Sequence, residues 1–324
     1  LGNTQKWENS SLSFNASYIN LAPYLAVFKD RNDWEKPFEA FGGESVFRQK
    51  LGKGLLKWYT AFDATNFELT QEDINLPDGL HFKLKNNNLY TNASYSTDLG
   101  NRWDIETGGS LTRANNQIGI EDNDIDNVEL SAHLKLKLRK KFSNQFKLYM
   151  GAEQFFTDFT EDFQNPSVPK ITYGYTNNIT AAYAEADYIF SKKLAAKVGV
   201  RGEYSGLFNQ FTLSPRASIA YKASKHGQFS LAYGDFYQNP LSDVLKFTNN
   251  LEAQKTQHYI LNYQYSHKDR IFRAEAYHKA YTNLVTYDTN FADFSSTYTN
   301  DGDGYAQGID IFWRDNQSIK NVDY

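Results

Sequence analysis

Residues 179–204 read ITAAYAEADYIFSKKLAAKVGVRGEY. Thr180, Ala182, Ala184, Ala186, Tyr188 and Phe190 make one small or apolar set, with Tyr183, Glu185 and Asp187 between them making a polar one. A period of two belongs to a strand, whose successive side chains point to opposite faces. After Ser191-Lys192-Lys193 the alternation resumes, with Leu194, Ala196, Val198 and Val200 against Lys197, Arg201 and Glu203. The spacing predicts an antiparallel hairpin with one apolar and one charged face. With the turn centred near Lys192, Asp187 falls opposite Lys197, and facing opposite charges favour that register. Such a hairpin fits a soluble sheet, whose apolar side covers a core, or a membrane barrel, whose apolar side meets lipid and whose polar side meets a lumen.

Outward from this hairpin the pattern repeats. Leu12, Phe14, Ala16 and Tyr18 alternate with polar residues, as do Leu56, Trp58, Phe62 and Ala64 after the Gly52-Lys53-Gly54 turn. Leu89 to Leu99 and Trp103 to Leu111 flank a tight turn at Gly100-Asn101. Leu134, Leu136 and Leu138 oppose His133, Lys135, Lys137 and Arg139, and a helix would put Leu136 on the charged side. The alternation continues through 213–221, 229–233, 259–265, 272–279 and 309–314, and a further strand is expected to begin near Ile319. These readings predict about fourteen strands, with short turns alternating with long polar loops. Two of the expected loops contain Gln71-Glu72-Asp73 with Pro77-Asp78-Gly79, and Glu121-Asp122-Asn123-Asp124. Aromatic residues gather toward strand ends, at Tyr188, Phe190, Tyr204, Tyr221, Tyr265 and Phe272, where interfacial girdles lie in membrane barrels.

Composition favours the barrel. The 324 residues include 23 Tyr and 24 Phe but a single Met. Mean hydropathy is −0.64, with apolar residues scattered singly instead of in blocks. A net charge of −4 and a pI near 5.9 leave no broad basic surface for nucleic acid. The absence of cysteine excludes disulfide scaffolds and thiolate metal sites, and suits an oxidising compartment. No apolar run reaches the length of a membrane helix, and no signal-peptide pattern opens the sequence.

Four stretches carry a family resemblance. Leu213-Ser214-Pro215-Arg216-Ala217-Ser218-Ile219-Ala220-Tyr221 resembles a strand that opens on Pro-Arg, and Tyr233-Gly234, Tyr237 and Gln238-Asn239-Pro240 resemble the strand and loop after it. Residues 250–259, NLEAQKTQHY, and 300–310, NDGDGYAQGID, are similar to two further strand approaches of the same family. That family is the TonB-dependent outer-membrane receptors, in particular the Bacteroidota type. The resemblance implies an all-β, antiparallel transmembrane barrel of about 22 strands closed by a plug. Residues 1–324 then form part of that one barrel domain, with the plug, the TonB-binding segment and the C-terminal strands lying outside the sequence. It further implies import of a nutrient of the siderophore, glycan, peptide or cofactor class across the bacterial outer membrane. Outer-membrane lipid, the TonB complex and a substrate-binding surface lipoprotein are the implied partners, with no cofactor. The alternative is a non-transporting barrel, such as a secretion or assembly component or an adhesin. A barrel enzyme needs a Ser-His pair, which the sequence does not single out.

Aromatics expected near the outer mouth, Phe236, Tyr237, Phe247 and Tyr287, are the candidate ligand contacts, because aromatic faces stack on sugars and apolar groups. Asp301 and Asp303 with their glycines suggest a calcium loop, but no glutamate completes an EF-hand, and a structural turn is the expected role. His133 and Glu153 are expected to meet on the inner face of one hairpin, as part of a ladder of lumen charges.

Overall fold

A computed structural model describes residues 1–28, 30–316 and 318. Its first strands are β1 (Gly2–Lys6), β2 (Ser10–Asn20), β3 (Asp33–Leu51), β4 (Gly54–Asp73) and β5 (Leu76–Gly100). They continue as β6 (Trp103–Ile120), β7 (Asn123–Lys141), β8 (Phe146–Asn165), β9 (Val168–Ile189) and β10 (Leu194–Ser205). The last are β11 (Gln210–Tyr221), β12 (Gly227–Gln238), β13 (Gln254–His267), β14 (Arg270–Tyr287) and β15 (Tyr298–Asp315). Two short helices, α1 (Ala22–Leu25) and α2 (Ser242–Leu245), sit in connections. The strands pair in chain order into one antiparallel sheet, with β1 and β15 at its edges.

The opening hairpin forms in the predicted register. Asp187 pairs with Lys197 across β9 and β10, and the Lys197 ammonium lies 3.4 Å from Asp187 and 2.8 Å from Glu185. Residues 132–138 lie in β7, so the strand reading holds there. At the Asn101-Arg102 turn both residues have positive φ, 50° and 63°, the backbone that joins two strands through two residues.

The exposure pattern is the reverse of a soluble sheet. Leu134 is 62% exposed, Leu231 54% and Ile309 73%, whereas the charged side chains of Arg201 and Glu153 on the other face are 17% and 14% exposed. An apolar face open across a whole sheet would be insoluble in water and is what lipid covers. Outward-facing Phe211 and Tyr221 stand at the two ends of β11. Ten residues at ~3.3 Å span about 33 Å of strand, or about 25 Å along the normal at a tilt of ~40°, the height of a barrel's apolar band.

The two edges differ, though not as expected. One edge carries only short turns, at 7–9, 52–53, 101–102, 142–145, 190–193, 222–226 and 268–269. At the other edge most of the expected polar loops are strand. Residues 71–73 and 76–79 belong to β4 and β5 around a two-residue turn, and Asn123-Asp124 already belong to β7. Strands β4 to β9 run 18 to 25 residues, about twice the 9–11 that cross a bilayer. Beyond the lipid both faces meet water, apolar alternation is no longer required, and backbone pairing alone carries the hairpin on. Strand β1 is also missed, because its residues GNTQK have nothing apolar to alternate, so the sheet holds one strand more than alternation predicts. The segment before Pro37 is partly α1 and partly the start of β3. The strand expected near Ile319 lies outside the described residues.

Candidate functional site

Strands β10 to β12 are only 12 residues long, so the wall dips between the tall β9 and the connection 239–253 that follows β12. That connection folds onto the charged face. Leu245, Leu251 and Ala253 are buried, at 3%, 6% and 5% exposure, and with Phe159 and Ala181 they are the buried apolar residues among those described. The Lys246 ammonium reaches the Glu161 carboxylate on β8 at 2.7 Å. Tyr175 on β9 and Ser242 on α2 share a hydroxyl hydrogen bond of 2.8 Å, and burial pushes the Tyr175 hydroxyl pKa up. The Ala253 N–H donates to Gln210 on β11 at 2.9 Å, and the Glu252 N–H donates to Asn300 on β15 at 2.8 Å. The connection is thus tied to both sides of the sheet.

This docking was not foreseen from the sequence. Leu241, Val244 and Leu245 stand three and four residues apart after Asn239-Pro240, the spacing of one apolar helical turn, and that was the available signal.

Of the four candidate aromatics, Phe247 and Tyr287 are brought together. Phe247 meets Tyr173 edge-on at 4.9 Å and stacks near Tyr298 at 6.4 Å, and Tyr298 lies 6.0 Å from Tyr287. Phe236 and Tyr237 project to opposite sides of β12. Phe236 lies on the charged face, under the Arg216 guanidinium at 4.7 Å and beside His258 at 4.7 Å. The Pro-Arg and Tyr-Gly motifs meet here, since Arg216 pairs with Gly234, where a Cβ would press on Phe236. Tyr237 packs under the Lys255 ammonium at 5.7 Å, and Lys255 pairs with Asp235 at 2.8 Å.

Asp301 and Asp303 lie within β15 and not in a turn, a correction to the expected structural role. The Asp301 carboxylate accepts from the hydroxyls of Thr286 and Thr299, which hold its pKa below the usual carboxylate value. Among the described residues no three His, Asp or Glu side chains gather at metal-binding distance.

The inner wall is a ladder of ion pairs. Arg201 joins Glu153 and Glu203, Lys135 reaches Glu106 at 3.0 Å and Arg139 reaches Asp104 at 2.7 Å. His133 lies 3.7 Å from Glu153, as expected, and stacks on Phe155 at 4.1 Å. The half-exposed Lys135–Glu106 and Arg139–Asp104 pairs contribute about 0–1 kcal/mol each. They give the wall a hydrated surface of balanced charge.

A family model described as "TonB dependent receptor-like, beta-barrel" matches residues 6–324. The chain belongs to this family. Like other TonB-dependent receptor barrels, it is an outer-membrane protein that crosses the bilayer with strands. Among solved structures, the hemophore receptor HasR of Serratia marcescens, in complex with its hemophore HasA and heme, superposes with a TM-score of 0.76 at 11% identity, covering 96% of this chain and 57% of HasR. The outer membrane transporter YddB of Escherichia coli gives 0.76 at 12%, covering 99% of this chain and 52% of YddB. The ferric enterobactin receptor PfeA of Pseudomonas aeruginosa gives 0.73 at 11%, covering 98% and 56%. The chain therefore spans a little over half the length of each of these proteins, and at such identity the likeness is one of fold. No curated protein matches the sequence significantly.

Proposed function

We propose that this chain supplies the wall and mouth of an energised importer that takes a nutrient across the outer membrane. The observation that carries the reading is the 239–253 connection. It is docked on the inner face at the edge away from the short turns, and it presents Phe247 with Tyr173, Tyr298 and Tyr287 to anything entering from that side. The inner wall below is charged and in part internally paired, so it offers a hydrated surface against which a plug can slide. Residues 1–324 are part of one barrel in this reading, while a plug and a TonB-binding segment belong to other parts of the polypeptide.

The substrate class is one that aromatic faces recognise: an iron chelate, heme, glycan or peptide with flat or apolar surface. Phe247 and Tyr287 are proposed as direct contacts. Phe236 is proposed to act lower on the path, beside Arg216, and Tyr237, on the other face of β12 beside Lys255, to stand off it. Substrate delivery by a surface protein fits the same mouth, and HasR bound to a hemophore illustrates such an arrangement for that receptor. The reading assigns the chain no catalysis.

The test is a deletion of the full gene, complemented by the wild type and by F247A/Y298A, with growth scored on single nutrients of each class. Loss of growth on one nutrient in the deletion, restored by the wild type and weakly by the variant, is the expected result. Growth on every nutrient equal to that of the parent strain would count against import.

A further inference from the structure

Three neighbouring turns on the short-turn edge, 190–193, 222–226 and 268–269, form a single cationic patch. The Lys222 N–H donates to the Lys193 carbonyl at 2.7 Å, and the Ser266 N–H donates to the His226 carbonyl at 2.8 Å, so the turns are contiguous. His226 and His267 close the gap between the second and third, with their Nδ1 atoms 3.3 Å apart. The patch presents Lys192, Lys193, Lys222, Lys225 and Lys268. Among the described residues none of these five makes an ion pair, whereas the adjacent Arg270 is taken by Asp315 at 3.0 Å.

Immediately inward, the apolar face carries a half-exposed aromatic shelf. Phe229 meets Tyr263 at 4.7 Å, Tyr263 meets Phe272 at 6.3 Å and Phe272 meets Trp313 at 6.1 Å, in a row across four strands. Tyr221, 48% exposed, directly precedes Lys222, and Phe190, 55% exposed, lies two residues before Lys192. Aromatic rings of this kind sit at the level of lipid headgroups. Lysines one or two residues further out therefore reach the phosphates, with their aliphatic stems lying along the shelf. The opposite edge has the other sign: the 74–75 and 121–122 turns are flanked or formed by Glu72, Asp73, Asp78, Glu121 and Asp122. The modest net charge thus conceals a separation between the two ends.

We propose that this lysine patch binds anionic phospholipid headgroups of the periplasmic leaflet. The inference rests on the outer-membrane reading, in which short turns face the periplasm. The five ammonium groups, set against the single Asp269 carboxylate within these turns, attract a phosphate that has no cationic partner of its own. They gain much less from phosphatidylethanolamine, whose ammonium neutralises it. Each lysine near such a surface is worth about a factor of five in affinity for anionic lipid.

The experiment uses the full-length receptor containing this chain, extracted from the outer membrane in polymer discs, with the retained lipid measured by mass spectrometry. Phosphatidylglycerol enriched about fivefold over the bulk membrane is expected. The ratio should fall to the bulk value in K192Q/K193Q/K222Q/K225Q and stay enriched in K83Q/K85Q, which removes two lysines from the far half of β5. A bulk ratio around the wild type, enrichment that survives the quadruple variant, or retention of lipopolysaccharide in place of phosphatidylglycerol overturns the proposal. Heat-modifiable gel mobility of the same samples reports insertion separately. A wild-type chain that fails to insert sinks the outer-membrane reading itself, and an inserted barrel without lipid preference sinks only the patch.

Discussion

The Lys246 ammonium lies 2.7 Å from the Glu161 carboxylate, joining residues 85 apart in sequence, with side chains 14% and 8% exposed. This is the contact that fastens the β12–β13 connection to the inner face of β8. A lone charge left in such a place is costly, because its partner and its water are both gone.

K246M should loosen the connection by about 2 kcal/mol, below the usual cost of breaking a fully buried pair because Lys246 keeps some solvent. Hydrogen exchange at residues 241–248 should quicken while exchange in β8 and β13 does not change. The double variant E161L/K246M should regain part of the protection. Equal exchange in K246M and wild type would show that the pair does not hold the connection.

L245A removes the most buried large apolar side chain of α2, at 3% exposure. A cost of about 2–3 kcal/mol is expected, confined to the connection. The heat-modifiable mobility of the barrel should be unchanged, and loss of that mobility would mean that the connection is part of the barrel's own stability.

The Tyr183 ring on β9 covers Gly151, its cross-strand partner on β8, so closely that a Cβ at position 151 would overlap it. G151A must swing the ring away and disturb its contact with the Arg201 guanidinium, 5.9 Å from the ring centre. A loss of about 1–2 kcal/mol in urea unfolding from lipid vesicles is expected. In a Y183A background the same substitution should cost little. An equal cost in both backgrounds would place the strain elsewhere.

The tip between β14 and β15 should be acid-sensitive. A backbone hydrogen bond from Thr297 holds the Asp288 carboxyl below its ordinary value of 3.8, and the Ser295 hydroxyl does the same for Asp293. Because the folded values are depressed, the stabilisation is present above the unfolded value and disappears as the pH falls through the lower folded values. A spin label on a cysteine introduced at Asn290, with β14 and β15 otherwise intact, should gain mobility only below about pH 4. A gain between pH 8 and 6 would point to another group.

Side-chain alternation at Ala182, Ala184, Val198 and Val200 against Glu185, Asp187, Lys197 and Arg201 was enough to decide strands, faces and the 187–197 register. Each follows from a period of two and one short turn, which are local properties of the chain. The same reasoning failed at 71–73, 76–79 and 123–124, where strands outside lipid have water on both faces and leave no apolar signature. It also failed for 239–253. The positions of Lys246 and Phe247 depend on Glu161 and Tyr173, which lie 85 and 74 residues earlier in the chain.

By itself, the sequence determined that this protein is an antiparallel β wall with one lipid-compatible face and one charged face, because each strand reports its two environments through its own neighbours. Only the tertiary structure decided how tall the wall stands beyond the membrane, that one connection closes over its dip, and which aromatics and lysines share a surface. Those features arise from backbone pairing and from contacts between distant segments, and neither leaves a periodic trace in the residues that make them.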